Sequence, residues 1–233
     1  MKKAIFAILG LFYLVTGCQK SSDDGSGGVA TPSPYMSVTA NSTWQYEQTA
    51  NPTGPTPVTT NYTLTSTNRD STIGGKQYHV FTNSSTNGSE YYNITGNDYY
   101  QYRDLPAAIG SAKIEALYLK DNIALNGTWS QTVNVAVAAL GGLTVSVLVT
   151  NTILEKGGTK TVNGITYTDV ITVKTDITPA TAGIPASAIT SDIKNYYARK
   201  VGLIQSDSKV VVNFAGINQT NDTQVKLKSS DIK

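Results

Sequence analysis

The chain offers few side chains with which to do chemistry. It has a single Cys, Cys18, and a single His, His79, in 233 residues. One thiol excludes a disulfide scaffold and a thiolate metal centre, and one imidazole excludes multi-His metal sites. His79 lies in Gln77-Tyr78-His79-Val80-Phe81, where strand alternation puts Tyr78 and Val80 on one face and His79 on the other. No Ser-His or Cys-His relay is expected around it, which leaves a structural histidine on a sheet face. Neither a metal nor a cofactor is expected.

Carboxylate pairs are the catalytic device this composition permits, since two acids at a suitable separation hydrolyse glycosides. Glu47, Glu90, Asp98, Asp104, Glu115, Asp121, Glu155, Asp169 and Asp176 are available. Asp169, in Tyr167-Thr168-Asp169-Val170-Ile171, shares a face with Tyr167 and Ile171, and half-burial there raises a carboxyl pKa. Nothing in the sequence pairs it with a second acid. A hydrogen-bonded structural role is expected, and no catalytic residue is assigned.

The 14 tyrosines are the best functional clue. Many fall in adjacent pairs, in Glu90-Tyr91-Tyr92, Asp98-Tyr99-Tyr100-Gln101-Tyr102-Arg103 and Asn195-Tyr196-Tyr197. In a strand, one ring of each pair points outward, where an apolar ring with a wet hydroxyl suits stacking on sugars or amphipathic contact. The alternative is an aromatic core whose hydroxyls reach water. Trp44, Tyr46, Tyr99, Tyr100, Tyr196 and Tyr197 are the ligand-binding candidates. A cavity lined by Trp44, Tyr46, Val145 and Val147 would favour an enclosed apolar or amphipathic ligand. Asp70-Ser71-Thr72 resembles the O-glycan acceptor site of Bacteroidota-type envelopes, with Ser71 as the acceptor.

The elements that position these residues are strands. Every second residue is apolar in Leu143-Thr-Val145-Ser-Val147-Leu-Val149, and the same beat runs through Trp44-Gln-Tyr46, Val133-Asn-Val135-Ala-Val137, Ile171-Thr-Val173 and Val225-Lys-Leu227. Turn signals separate them at Gly74-Gly75, Asn87-Gly88, Gly96-Asn97-Asp98, Gly141-Gly142 and Asn163-Gly164. Residues 35–233 therefore read as one all-β domain of long antiparallel strands. Two stretches break the pattern, 104–113 and 178–194. In the second, Ile189 and Ile193 lie four apart, enough for one or two helical turns, and a short helix or irregular segment is expected near 187–194. Asn41-Ser-Thr-Trp44 recurs as Asn126-Gly-Thr-Trp129, Gly75-Lys-Gln-Tyr78 as Gly164-Ile-Thr-Tyr167, and Asp98-Tyr99-Tyr100 as Asn195-Tyr196-Tyr197. This order suggests repeat halves at about 41–103 and 126–204.

The N-terminus sets the compartment. Lys2-Lys3 precede an apolar run from Ala4 that is too short to span a bilayer, which takes about 20 apolar residues. Val15-Thr16-Gly17-Cys18 resembles the lipobox of bacterial lipoproteins, in which the Cys is lipidated and becomes the new N-terminus. Residues 1–17 are then a signal peptide, and 18–34 are the lipidated Cys and a flexible Gly/Ser/Asp linker. Lys2 and Lys3 account for the formal +2: of 18 basic residues 16 remain, against 16 acidic. A neutral body lacks the basic footprint that nucleic-acid binding needs.

Trp44-Gln-Tyr46, the Gly-x-x-Tyr hairpins and Tyr196-Tyr197-Ala198-Arg199-Lys200-Val201-Gly202-Leu203-Ile204 together resemble a family of Bacteroidota-type lipoproteins with a domain of unknown function. That resemblance implies a strongly curved, open half-barrel like lipoprotein-carrier folds, and it brings no catalytic residues. The expected protein is a monomeric envelope lipoprotein of the outer membrane, periplasmic or surface-exposed. Its expected role is to bind a ligand or dock another envelope protein without catalysis. A surface glycan-binding module using exposed Tyr is the alternative, and a carboxylate hydrolase comes third. A fatty-acid label on the protein should vanish in Cys18→Ser, and its persistence would refute lipidation.

Overall fold

The computed structural model describes residues 33–104, 113–137 and 143–233. The signal peptide, Cys18, most of the linker and the 105–112 stretch lie outside the described residues. Alternating Thr, Val, Tyr and Ile positions form twelve strands, as this β-branched and aromatic composition favours. They are β1 (Thr43–Ala50), β2 (Val58–Ile73), β3 (Lys76–Asn83), β4 (Gly88–Thr95), β5 (Asp98–Asp104), β6 (Lys113–Lys120), β7 (Thr128–Val137), β8 (Leu143–Val162), β9 (Ile165–Pro179), β10 (Ile189–Ala198), β11 (Gly202–Phe214) and β12 (Ile217–Asp231). Gly74-Gly75 and Asn163-Gly164 turn the β2–β3 and β8–β9 hairpins with positive φ at all four positions. The segment expected as a short helix or irregular stretch holds a 3-10 turn at Ala186–Ala188, and Ile189 onward is strand. A spacing of four is also a multiple of two, so Ile189 and Ile193 share one face of β10 as readily as one face of a helix.

All twelve strands form one antiparallel sheet, ordered β6-β5-β4-β3-β2-β1-β12-β11-β10-β9-β8-β7. It is two six-strand meanders joined where β1 pairs with β12. The first strand of each meander begins at the same corner. Asn41 (φ 67°) and Asn126 (φ 61°) are both left-handed. Asn41 N donates to Ser66 O and Ser66 N to Ser42 O, while Asn126 N donates to Ile153 O and Ile153 N to Gly127 O. The Gly-x-x-Tyr echo opens β3 and β9, the third strand of each meander. The Tyr-Tyr echo does not correspond in this way: Tyr99-Tyr100 lie on β5, and Tyr196-Tyr197 lie on β10.

The sheet is strongly curved, as expected, and its edge strands β6 and β7 meet in a nearly closed barrel with one seam. Side chains stitch this seam. Leu117 N donates to Gln131 Oε1 at 3.3 Å, and Gln131 Nε2 donates to Glu115 O at 2.5 Å. The Gln131 amide thus offers β6 the acceptor and donor that another peptide group would. Trp129 Nε1 and Asn151 Nδ2 both donate to Leu117 O, at 2.9 and 3.4 Å.

One end of the barrel is closed by residues 33–42, a strap laid across the starts of β5 and β11 and the end of β10. Within it Tyr35 and Met36 are buried against the barrel, at 1% and 7% exposure. Tyr35 N donates to Tyr99 OH at 3.0 Å, and Lys200 N donates to Pro34 O at 2.8 Å. The strap is locked by Arg199 and Asp169. Arg199 Nη1 donates to Ser33 O at 2.7 Å and Nη2 to Tyr35 OH at 3.0 Å, while Nε pairs with the Asp169 carboxylate. Tyr35 OH donates to Asp169 Oδ1 at 2.8 Å. These bonds tie Ser33 and Pro34 to the barrel. Asp169 (φ 51°) has no ladder partner in either neighbour of β9, so it is a bulge residue turned toward the latch.

Burial opposes ionisation of Asp169, but hydrogen bonds from Arg199 and Tyr35 outweigh it and hold the carboxyl below the usual carboxylate range. This reverses the rise expected from half-burial alone, which took no account of Arg199. A carboxyl depressed by folding stabilises above its unfolded pKa of about 3.9 and loses that stabilisation as pH falls through the folded value. At pH 7, Asp169→Asn should speed hydrogen exchange of the Tyr35 and Met36 amides, with a global cost of about 1 kcal/mol or less for a partly exposed pair. The native protein should show the same loss of protection, relative to the intrinsic exchange rate at each pH, only below about pH 4, and unchanged protection in the variant would remove the latch. At the seam, Gln131→Leu should lower stability by about 1–3 kcal/mol through two unpaired backbone groups, read as a shift of the urea midpoint. Ser130→Ala, on the exposed face of the same strand, should cost less than about 0.5 kcal/mol; equal costs would show that the seam bonds contribute nothing.

Candidate functional site

The barrel encloses a cavity of about 350 Å³, within the span of about 300–1,000 Å³ typical of small-molecule sites. Its two sides differ because the meanders differ. The second meander supplies an aliphatic wall of Val133, Val147, Val149, Ile177, Ile193 and Val210. The first supplies Trp44, a group of tyrosines (Tyr46, Tyr62, Tyr92, Tyr118) and the charged or amide side chains Glu90, Gln101 and Arg103. Tyr197, Gln131, Asn151, Thr175, Asn195, Ser206 and Ser208 complete a lining that is amphipathic. Trp44 Nε1 donates to Val201 O at 2.7 Å and Tyr46 OH to Leu203 O at 2.9 Å, which fixes both rings against the β10–β11 corner. Burial pushes the hydroxyls of Tyr46, Tyr62, Tyr92, Tyr118 and Tyr197 above the ordinary tyrosine value, so they remain neutral donors at physiological pH.

Of the residues expected to bind ligand, Trp44, Tyr46, Tyr197 and Val147 line this cavity. Val145 is buried beside it in the aliphatic cluster. Tyr99, 1% exposed, belongs instead to the end cap, where its hydroxyl donates to Asp121 Oδ2 at 2.9 Å. Tyr100 and Tyr196 lie on the opposite face, each with a lysine over its ring: Lys76 Nζ is 3.1 Å from the Tyr100 centroid and Lys160 Nζ 4.0 Å from that of Tyr196. One ring of each adjacent pair does point away from the lumen. The outward rings of Tyr100 and Tyr196 are covered by a cation, while that of Tyr91 meets Tyr102 edge-on, with ring centroids 6.3 Å apart.

His79 has the serine partner that the sequence did not suggest. Its Nε2 is 2.8 Å from Ser66 Oγ and its Nδ1 is 2.9 Å from Asp70 Oδ1. That is the connectivity of a nucleophile, base and orienting acid. Ser66 is nevertheless fully buried, and its hydroxyl lies 3.2 Å from Val38 O in the strap. It borders no part of the cavity. Here the relay ties the strap to β2 where that strand bulges between Ser66 and Asp70. The bulge brings Asp70 opposite His79, and alternation in the sequence carries no sign of it. Ser71 follows in β2, paired with Tyr78, while its neighbour Asp70 also accepts from Gln77 Nε2 at 3.1 Å.

Most of the other acids are committed to local partners. Asp98 pairs with Lys120, Glu115 with Lys76 and Tyr78, Asp176 with Lys174, and Glu155 accepts from Thr172. Glu90 is the single carboxylate among the described lining residues, so no acid pair of the kind that hydrolyses glycosides occurs among them. Sequence reasoning placed Glu90 among the acids and Tyr92 among the paired tyrosines without joining them. The signal was present: Glu90 and Tyr92, and Gln101 and Arg103, lie two apart on adjacent strands and so share one face. No group of three or more His, Cys, Asp or Glu side chains suited to a metal occurs among the described residues.

No family model matches the chain, and no curated protein matches it. Among solved structures, the chain is similar to a candidate lipoprotein from Parabacteroides distasonis, with a TM-score of 0.47 and 12% identity over 86% of this chain and 100% of that one.

Proposed function

We propose that the protein is a membrane-anchored envelope lipoprotein, tethered through Cys18, whose barrel lumen holds a small amphipathic ligand without chemical conversion. The observation that carries this reading is the lumen: a cavity of about 350 Å³ with an aliphatic wall on one side and tyrosine hydroxyls, amides and charges on the other. A packed core of the same strands would leave no such space. The lipobox-like Val15-Thr16-Gly17-Cys18 supports the tether, since two or three acyl chains hold a protein at a bilayer without a spanning segment. Ser33 is held at the strapped end of the barrel by Arg199.

The test is a titration of the lipidated protein in nanodiscs with octan-1-ol, followed by tryptophan fluorescence against empty nanodiscs, because Trp44 lines the lumen. A saturable change in emission is expected in the native protein and should be lost in Ser208→Phe, which fills the lumen from β11. Near-ultraviolet circular dichroism should show that the variant remains folded. Equal changes in both proteins would contradict binding within the lumen. The glycan-binding alternative finds less support, because Tyr100 and Tyr196, the outward rings it was expected to use, lie under Lys76 and Lys160.

A further inference from the structure

Glu90 is the feature of the lumen that a merely apolar container does not need. Placing a carboxylate in a partly enclosed space costs free energy unless it is hydrogen-bonded or paired. Here hydrogen bonds do the work. Glu90 Oε1 accepts from Asn83 Nδ2 at 2.6 Å, and Oε2 accepts from Tyr92 OH at 2.6 Å and from Gln101 Nε2 at 3.1 Å. Gln101 Nε2 also lies 2.8 Å from Tyr92 OH, so the donors brace one another across β4 and β5. All of these partners are neutral, and they orient the negative charge without cancelling it. A carboxylate offers about four lone-pair positions, so room remains for a further donor.

The lumen's cation does not cancel the charge either. Tyr91 pairs with Tyr102, which makes Glu90 and Arg103 the next cross-strand neighbours toward the far end, yet no ion pair joins them among the described residues. Arg103 is exposed, where water and salt screen it; Glu90 is the more enclosed of the two. Around Glu90 stand aromatic rings. Tyr46 and Tyr62 stack at 5.2 Å, and Tyr92 meets Phe81 edge-on at 4.8 Å. After burial itself, the Glu90 charge is among the causes that raise the hydroxyl pKa of Tyr46, Tyr62 and Tyr92, which places all three within its field. A carboxylate beside tyrosine π-faces is the chemistry that receives an organic cation.

Resting on the reading of the lumen as a ligand site, we infer that its preferred occupant is a single-chain amphiphile with an ammonium head. The head sits against Glu90 and the Tyr46–Tyr62 rings, and the chain lies along Val133, Val147 and Ile177. An anionic head would face Glu90 without compensation and gain only the screened Arg103.

Octyltrimethylammonium, octyl sulfate and octan-1-ol, matched in chain length, should be titrated into the lipidated protein in nanodiscs with empty nanodiscs as reference. The ammonium is expected to bind about tenfold more tightly than the other two. Glu90→Gln keeps the side-chain shape and removes the charge, and should bring the affinity for the ammonium down to that for octan-1-ol. Arg103→Gln, at an exposed position, should strengthen ammonium binding. Equal or tighter binding of the sulfate or the alcohol to the native protein would overturn the cationic assignment and leave the lumen as a ligand site. Failure of all three to bind would overturn both.

Discussion

The lumen depends on one closure. A twelve-stranded sheet has two edges, and here β6 and β7 are joined by side chains rather than by a backbone ladder. An unpaired edge is a row of backbone donors and acceptors that another chain can extend. Gln131, Trp129 and Asn151 answer those groups on β6, so the sheet bends round on itself and its inward side chains face one another across a cavity. Gln131 also lines the lumen, so the side chain that closes the wall is part of the site that the wall creates.

The two ends of the barrel are then unequal. At one end, aromatic packing around Trp44, Phe81, Tyr99 and Leu227 is finished by the strap and by the β8–β9 hairpin. Bulges between Ile153 and Thr159 bend that hairpin inward until Asn163 Nδ2 donates to Leu227 O at 3.1 Å. The Asp169–Arg199–Tyr35 latch and the His79–Ser66–Asp70 relay both bear on this strap, from opposite meanders. At the other end, Val133, Ile177 and Val210 form a smaller aliphatic cluster beside Arg103 and Ile114. Enclosure at one end with charge and apolar surface toward the other gives a ligand a direction as well as a volume.

The strands were legible in the sequence because alternation is a local property. The period-two beat of Leu143–Val149 and the Gly-Gly and Asn-Gly turns mark β8 and its neighbours without reference to anything distant. The Asn-x-Thr-Trp corners were legible for the same reason. Closure was not, because it rests on Gln131 meeting residues of a strand whose curvature is set by the whole sheet. Bulges were equally hidden. One brings Asp70 to His79 and another turns Asp169 to Arg199, so the sequence suggested an isolated histidine and a carboxyl with a raised pKa. At the site, Trp44, Tyr46 and Tyr197 could be named from aromatic character, whereas Glu90 and Gln101 required knowing that β4 and β5 turn that face inward.

Hydrogen exchange at the Leu117 amide tests closure most directly, because its partner across the seam is a side chain, Gln131 Oε1. A closed seam predicts that this amide is protected to about the degree of ladder amides in the central strands, such as that of Val173 on β9. Exchange at the rate of an unstructured peptide would mean that β6 is a free edge, and the enclosed lumen would fall with it.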